Sequence, residues 1–187
     1  MMNKRKPIKE QTVESIIKQR LKRLRDKEDI SRFFKHLILL LGSVYLLFGF
    51  VFGLSSVPND EMMPRMSAGD IFLYYRLEKS VRSGDVIYFE KDDKYYLGRV
   101  IATVGEKVEI TKDNRVKVND SLLTENYIYQ TTAQYDSDVT YPLQLSNEEV
   151  FVLVDYREGG KDSRYFGPVN IHSIKGKIIT ILRKSNI

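Results

Sequence analysis

Eighteen consecutive residues, Leu37 to Leu54, carry no charge, and no other feature constrains the chain as tightly. As a helix such a run covers about 27 Å, enough to cross the hydrocarbon core of a bilayer. Thirteen of the eighteen are Leu, Ile, Val or Phe, which favours insertion by about 4–8 kcal/mol. No polar stripe interrupts the run, as it would in a surface helix of a globular domain. A cleavable secretion signal has a shorter apolar stretch of about 7–15 residues behind a short basic region, and ends in small residues. Here 36 residues precede the run, and it ends Leu54-Ser-Ser-Val-Pro58. The sequence therefore predicts one permanent transmembrane helix at 37–54.

Charge gives the orientation. Residues 1–36 hold 12 Lys or Arg against 5 Asp or Glu, whereas the rest of the chain holds 18 against 20. A basic tail before an apolar span and a mildly acidic body after it predict an N-terminus in the cytoplasm and residues 55–187 outside the cell membrane. This polarity sets the chain apart from nucleic-acid binders, whose basic residues cover the folded surface, so no nucleic-acid partner is expected. Within the tail, Val13, Ile16, Ile17, Leu21 and Leu24 recur at helical spacing among basic residues. That pattern fits either an amphipathic helix on an anionic membrane surface or a solvated topology determinant.

Past the anchor the period changes. Short β-branched and aromatic runs, at Ile71–Leu77, Val86–Phe89, Tyr95–Val104, Lys107–Ile110, Arg115–Val118, Val150–Val154 and Lys177–Leu182, alternate with Gly, Asp and Asn, which predicts antiparallel strands. Asp113-Asn114 reads as a hairpin turn. Residues 119–149 are rich in Ser, Thr, Asn, Asp and Gln and read as a long excursion with little core of its own. The fold class expected is mainly β, with three segments: a basic tail at 1–36, the span at 37–54 and a β domain at 55–187. There is no Cys, and only His36 and His172 offer imidazole, so neither a disulfide framework nor a metal centre or other cofactor is expected.

Four short segments follow the anchor in order: Asn59-Asp-Glu-Met-Met-Pro-Arg-Met-Ser-Ala-Gly-Asp70, Ser83-Gly-Asp-Val86, Tyr96-Leu-Gly-Arg-Val-Ile101 and Asp162-Ser-Arg-Tyr-Phe-Gly-Pro-Val169. In this order they resemble the boxes of type I signal peptidases, the last being the most specific, and the resemblance covers about residues 37–182. It implies a signal-peptidase-type antiparallel β domain and serine-type endopeptidase chemistry. In that family a Ser hydroxyl attacks the peptide carbonyl and a neutral, desolvated Lys amine takes its proton.

The resemblance also locates what is missing. The nucleophile's place before Met62-Met63-Pro64 is held by Glu61, and the base's place before Arg99-Val100-Ile101 by Gly98. A carboxylate repels a developing oxyanion, and glycine has no proton acceptor. Asn59 stands where the family has a Ser that assists the oxyanion hole, and Gly160 where a Ser supports the Lys. Asp162 with Arg164, and Asp155 with Arg157, match supporting Asp and Arg positions, although Val154 and Tyr156 depart from the family's Gly and Asn. Ser67, Ser163 and His172 are the candidates for a rebuilt site; the plainer roles are a turn for Ser67, a surface or packed position for His172 and a structural place within its box for Ser163.

The resemblance thus implies an inactive homologue that keeps a groove for an extended peptide, with Met62, Met63, Pro64 and Leu97 as cleft candidates. Met62, Met63 and Met66, with Phe72 and Tyr74, line such a cleft or its membrane-facing lip, or, as the plainer role, pack in the core. Degenerate relatives of this kind imply pilin precursors, and a sortase beside them, as partners at the cell surface. The competing expectation is an active signal peptidase with a different catalytic arrangement.

Overall fold

The computed structural model describes residues 13–78 and 80–183. The chain divides into two compact units, Met1–Leu46 and Leu47–Ile187. In the first, one helix, α1 (Val13–Leu46), runs without a break through the expected tail–anchor boundary, so the described part of the tail and the anchor are one element. Val13, Ile17, Leu21 and Leu24 are all exposed on it; residues 1–12 lie outside the described residues. With the π-helical turn Leu47–Val51 it makes one segment, Ser15–Val51, long and apolar enough to cross a membrane.

The second unit begins sooner than the apolar run suggests. Phe52–Ser56 form strand β1, in register with β2 (Ile71–Tyr75) from Phe52↔Tyr75 to Ser56↔Ile71. The span boundary expected at Leu54 is thereby corrected: the helical segment ends at Val51. Gly53 is the physical reason, because its missing side chain leaves room for the Tyr74 ring to lie against the strand, and a helix would forfeit both this contact and the β pairing.

The remaining strands are β3 (Val86–Lys91), β4 (Lys94–Ala102), β5 (Lys107–Ile110), β6 (Val116–Val118), β7 (Ser121–Leu122), β8 (Leu143–Gln144), β9 (Glu149–Leu153), β10 (Val169–Asn170) and β11 (Ile174–Leu182); a single-turn helix, α2 (Ser163–Phe166), precedes β10. They form a seven-stranded sheet, ordered β1-β2-β11-β3-β4-β9-β10, and a four-stranded sheet, ordered β7-β6-β5-β8. All pairings are antiparallel. The mainly antiparallel β fold expected from the alternation is what forms. The hairpin turn stands where the sequence puts it: Asn114 takes a φ of 57° between β5 and β6, a left-handed position that Asn tolerates.

Alternation along the strands sorts the core. Ile87, Phe89, Val100, Val150, Val152, Val169 and Ile174 make one apolar cluster. Met62, Met66, Phe72, Tyr74, Leu97 and Val154 make a second, and Ile101, Val108, Ile110, Val116, Phe151 and Leu153 belong to a third that serves the smaller sheet.

Candidate functional site

Between β1 and β2 the chain makes a tight loop, 57–70, that carries Glu61. Its ends are tied together, with Val57 N–H donating to the Asp70 carbonyl at 2.8 Å and Gly69 N–H to the Val57 carbonyl at 2.9 Å. Asp70 Oδ2 accepts from Ser67 N–H at 3.0 Å, and Asp60 Oδ1 from Ala68 N–H at 2.9 Å. Met62 and Met66, each 1% exposed, sink from this loop into the core, which leaves Glu61 and Met63 on the other side. Asn59 Oδ1 accepts from Glu61 N–H at 3.2 Å, so the Asn59 amide is engaged in shaping the loop.

The structure brings Glu61 and Gly160 together although they are 99 positions apart in the sequence. Glu61's carbonyl accepts from Tyr156 N–H at 2.9 Å, and its Oε1 accepts from Lys161 N–H at 3.3 Å. Gly160 has a φ of +95°, and a β-carbon there would lie 2.8 Å from both Cγ and Cδ of Glu61. The Glu61 side chain fills the space into which any side chain at 160 projects. Asp60, Glu61, Met63, Tyr156, Gly159 and Gly160 line a surface depression of about 440 Å³.

Gly98 is placed differently. It lies in β4 opposite Ile87 and is buried. A β-carbon there would stand 3.3 Å from Val152 Cβ and 3.5 Å from Phe89 Cε1. The direction in which the resemblance puts a base is therefore an apolar wall, and position 98 belongs to the core. Of the four cleft candidates, Met63 alone lines the depression and is 41% exposed; Pro64 is exposed beside it. Leu97 lies in the core rather than at the depression, and Met62 takes the plainer of its two expected roles there; both pack with Phe72, Tyr74 and Val154. Burial of both faces of β4 from Leu97 to Ala102 explains this for Leu97, and the inward turn of the loop explains it for Met62.

The substitutes for a nucleophile do not converge. Ser163 is fully buried, and its Oγ accepts from Val152 N–H at 3.0 Å. Ser67 closes the turn with Asp70. His172 is exposed, with Nε2 3.6 Å from Glu148. Among the described residues no hydroxyl of these is hydrogen-bonded to an imidazole or amine that would activate it.

The flanking charges are buried and paired. Arg99 meets Asp155 through Nε at 2.8 Å and Nη2 at 2.5 Å, and Arg164 grips Asp162 through Nε at 2.9 Å and Nη2 at 2.8 Å. Arg157 turns to Glu125 at 2.6 Å and Thr132 at 2.8 Å, so the acidic partner of Arg157 lies in the excursion, where sequence reasoning did not look. Burial works against Arg99's charge, but the hydrogen bond and charge of Asp155 outweigh it and hold the guanidinium's pKa above its usual value. These pairs fix geometry more than they add net stability, because desolvation offsets much of their attraction.

The same arginines explain the long excursion. Arg164 Nη1 donates to the Ala133 carbonyl, and Ser137 Oγ to the Arg164 carbonyl. The Tyr127 ring takes the guanidinium groups of both Arg65 and Arg99, at 4.2 and 4.7 Å from its centroid, and the Tyr135 ring takes that of Arg164 at 4.1 Å. Cation–π contacts and hydrogen bonds anchor its middle, while Leu145 is buried in the third apolar cluster and Leu123, Tyr141 and Leu143 pack against it. Burial pushes the phenols of Tyr127 and Tyr135 above their usual value. Tyr135 also donates its hydroxyl hydrogen to the Gly160 carbonyl at 3.2 Å, which ties the excursion to the depression.

Fold and loops together define an antiparallel β protein behind one apolar helix. The family is narrower. The model of the family described as signal peptidase, peptidase S26, matches residues 30–182, and the chain belongs to that family. Similar proteins include signal peptidase I of Bacillus caldolyticus, 29% identical over 143 residues that cover 69% of this chain and 78% of the relative. Another is the inactive signal peptidase IA of Staphylococcus aureus strain Mu50, 25% identical over 158 residues that cover 77% of this chain and 88% of the relative. Among solved structures, a signal peptidase I from Enterococcus faecalis V583 matches 54% of this chain and 97% of its own, with 28% identity and a TM-score of 0.46.

Proposed function

We propose that this chain is a membrane-anchored signal peptidase homologue that binds extended peptide segments outside the cell without cleaving them, and that pilin precursors are its clients. The observation that carries this reading is the pair Glu61 and Gly160. At the position that the resemblance gives to the nucleophile there is a carboxylate, and it fills the space of the side chain that would support a base. A carboxylate so placed opposes the charge that an acyl-transfer transition state develops. Gly98, packed against Val152 and Phe89, supplies no proton acceptor. The existence of a relative named as inactive supports the same reading.

Peptide binding does not depend on the lost groups, because main-chain pairing with pockets for alternate side chains needs neither Ser nor Lys. The depression beside Met63 and Tyr156 is such a pocket. An apolar span ending at Val51, with the basic tail inside, tethers the β unit to the membrane that its clients cross. A sortase acting on the same pilins is the expected neighbour.

The test is equilibrium binding. The full chain in detergent micelles is titrated into a fluorescent peptide spanning a pilin precursor's signal region, with an unrelated secreted precursor as control. Saturable binding that favours the pilin peptide agrees with the proposal. Saturable but equal binding removes the pilin preference, and conversion of the peptide into fragments replaces the whole reading with that of an active peptidase.

A further inference from the structure

The carbonyl of Gly160 and the N–H of Lys161 belong to one peptide unit, and that unit has a partner at each end. Tyr135 donates to the carbonyl at 3.2 Å, and the N–H donates to Glu61 Oε1 at 3.3 Å. A donor on the carbonyl polarises the N–H across the same amide, so the two bonds reinforce one another. The N–H is thus a directed donor at the edge of the depression, and its present partner is a side chain.

That partner is easily exchanged. A separation of 3.3 Å lies beyond the usual span of about 2.7–3.2 Å for such bonds, and Glu61 is not fully buried. Its main chain is fixed independently, by Asn59 on the N–H and by Tyr156 on the carbonyl, so the carboxylate can swing away while the loop stays. Beneath it, Gly159 and Gly160 carry no side chains, which permits close approach of another backbone. Asp60 also lines the depression; its charge opposes an anionic group there, whereas a neutral main-chain carbonyl meets no such opposition.

Building on the reading of the chain as a peptide binder, we propose that Lys161 N–H receives a main-chain carbonyl of the bound peptide, that Glu61 occupies this donor when no peptide is present, and that Tyr135 aims it. Glu61 is then an internal competitor, and Tyr135 is a positioning residue that never touches the peptide.

The experiment uses the full chain in micelles and a fluorescein-labelled peptide carrying an Ala-x-Ala stretch. Glu61→Ala is expected to bind roughly three- to tenfold more tightly, the range given by removing one hydrogen-bonding competitor. Glu61→Gln, which keeps the shape and weakens the acceptor, is expected to gain less and serves if the Ala variant folds poorly. Adding Tyr135→Phe to Glu61→Ala is expected to abolish the gain while melting is little changed, since the ring still lies under Arg164. In protein labelled with 15N-lysine, the amide signal missing from Lys161→Arg identifies Lys161, and it should move when peptide is added. Equal binding by wild type and Glu61→Ala, with the Lys161 signal stationary, overturns this inference and leaves peptide binding standing. Absence of binding by every variant overturns the peptide-binding reading, and this inference with it.

Discussion

Replacing Gly160 by Ser restores the residue that the resemblance puts there, and the structure says that it costs stability in two separable parts. At a φ of +95° an L-residue is strained by about 1–2 kcal/mol. The new β-carbon also stands 2.8 Å from Cγ and Cδ of Glu61, so the carboxylate must turn aside and release Lys161 N–H, at about 1 kcal/mol for a weak hydrogen bond or a displaced rotamer. The single variant should therefore lose about 2–3 kcal/mol. In a β unit of roughly 140 residues this lowers the melting temperature by roughly 6–9 °C, at about 3 °C per kcal/mol. Glu61→Ala removes the obstruction but not the strained φ. In its background the same change should cost only about 1–2 kcal/mol, a coupling of about 1 kcal/mol that exceeds the roughly 0.3–0.5 kcal/mol scatter between independent sites. Near-ultraviolet circular dichroism is the assay, because the chain has 12 Tyr and no Trp, and all but Tyr45 lie in the β unit. Additive losses, or a gain in stability from Gly160→Ser, would refute the claim that Glu61 fills the space above Gly160.

Gly98→Lys should lower stability by about 2–4 kcal/mol in chemical denaturation, since it overfills the contact with Val152 and buries an amine; a neutral result would move position 98 to the cleft wall. On wall-stripped cells, added protease should digest the β unit and spare the basic tail, and protection of the β unit would invert the topology. Stability should also fall at alkaline pH. Burial is the first cause that raises the phenols of Tyr88, Tyr127, Tyr135 and Tyr141, so folding favours their neutral form. The contribution is intact below the unfolded value of about 10 and is lost as pH rises from there toward the folded values. Tyrosinate absorbance should accordingly appear in one step with unfolding, and smooth ionisation of every phenol before unfolding would contradict the burial argument.

Most strands could be read from alternation because one face of each is buried, as in Ile71–Tyr75, where Phe72 and Tyr74 point inward. β1 could not, since Phe52–Leu54 continue an apolar helical run and only pairing with β2 makes them a strand. Two-residue strands such as β7, β8 and β10 are too short to show a period. The excursion looked coreless because its few apolar residues, such as Leu145, pack against strands elsewhere and its other anchors are distant arginines; nothing local couples Glu125 to Arg157. At the candidate site the sequence supplied the positions 61, 98 and 160 but not their geometry. That Glu61 covers Gly160 and that Met62 is buried depend on how loop 57–70 turns against the sheet, whereas Leu97 and Gly98 are buried because β4 is covered on both faces there. Tyr135, which ties the excursion to Gly160, had no sequence signal beyond being an aromatic residue in a polar stretch.

The most direct test of the account is the mass of a bound peptide. A synthetic precursor segment with an Ala-x-Ala stretch is held at saturation with the full chain in lipid nanodiscs, beside an active signal peptidase as a positive control. The recovered peptide is then weighed by mass spectrometry. The peptide should be bound and intact after prolonged incubation, because position 61 offers a carboxylate and position 98 no base. Cleavage after the small residues, lost when Ser67 or Ser163 is replaced by Ala, would show that a catalytic centre lies elsewhere in the chain and contradict the central claim.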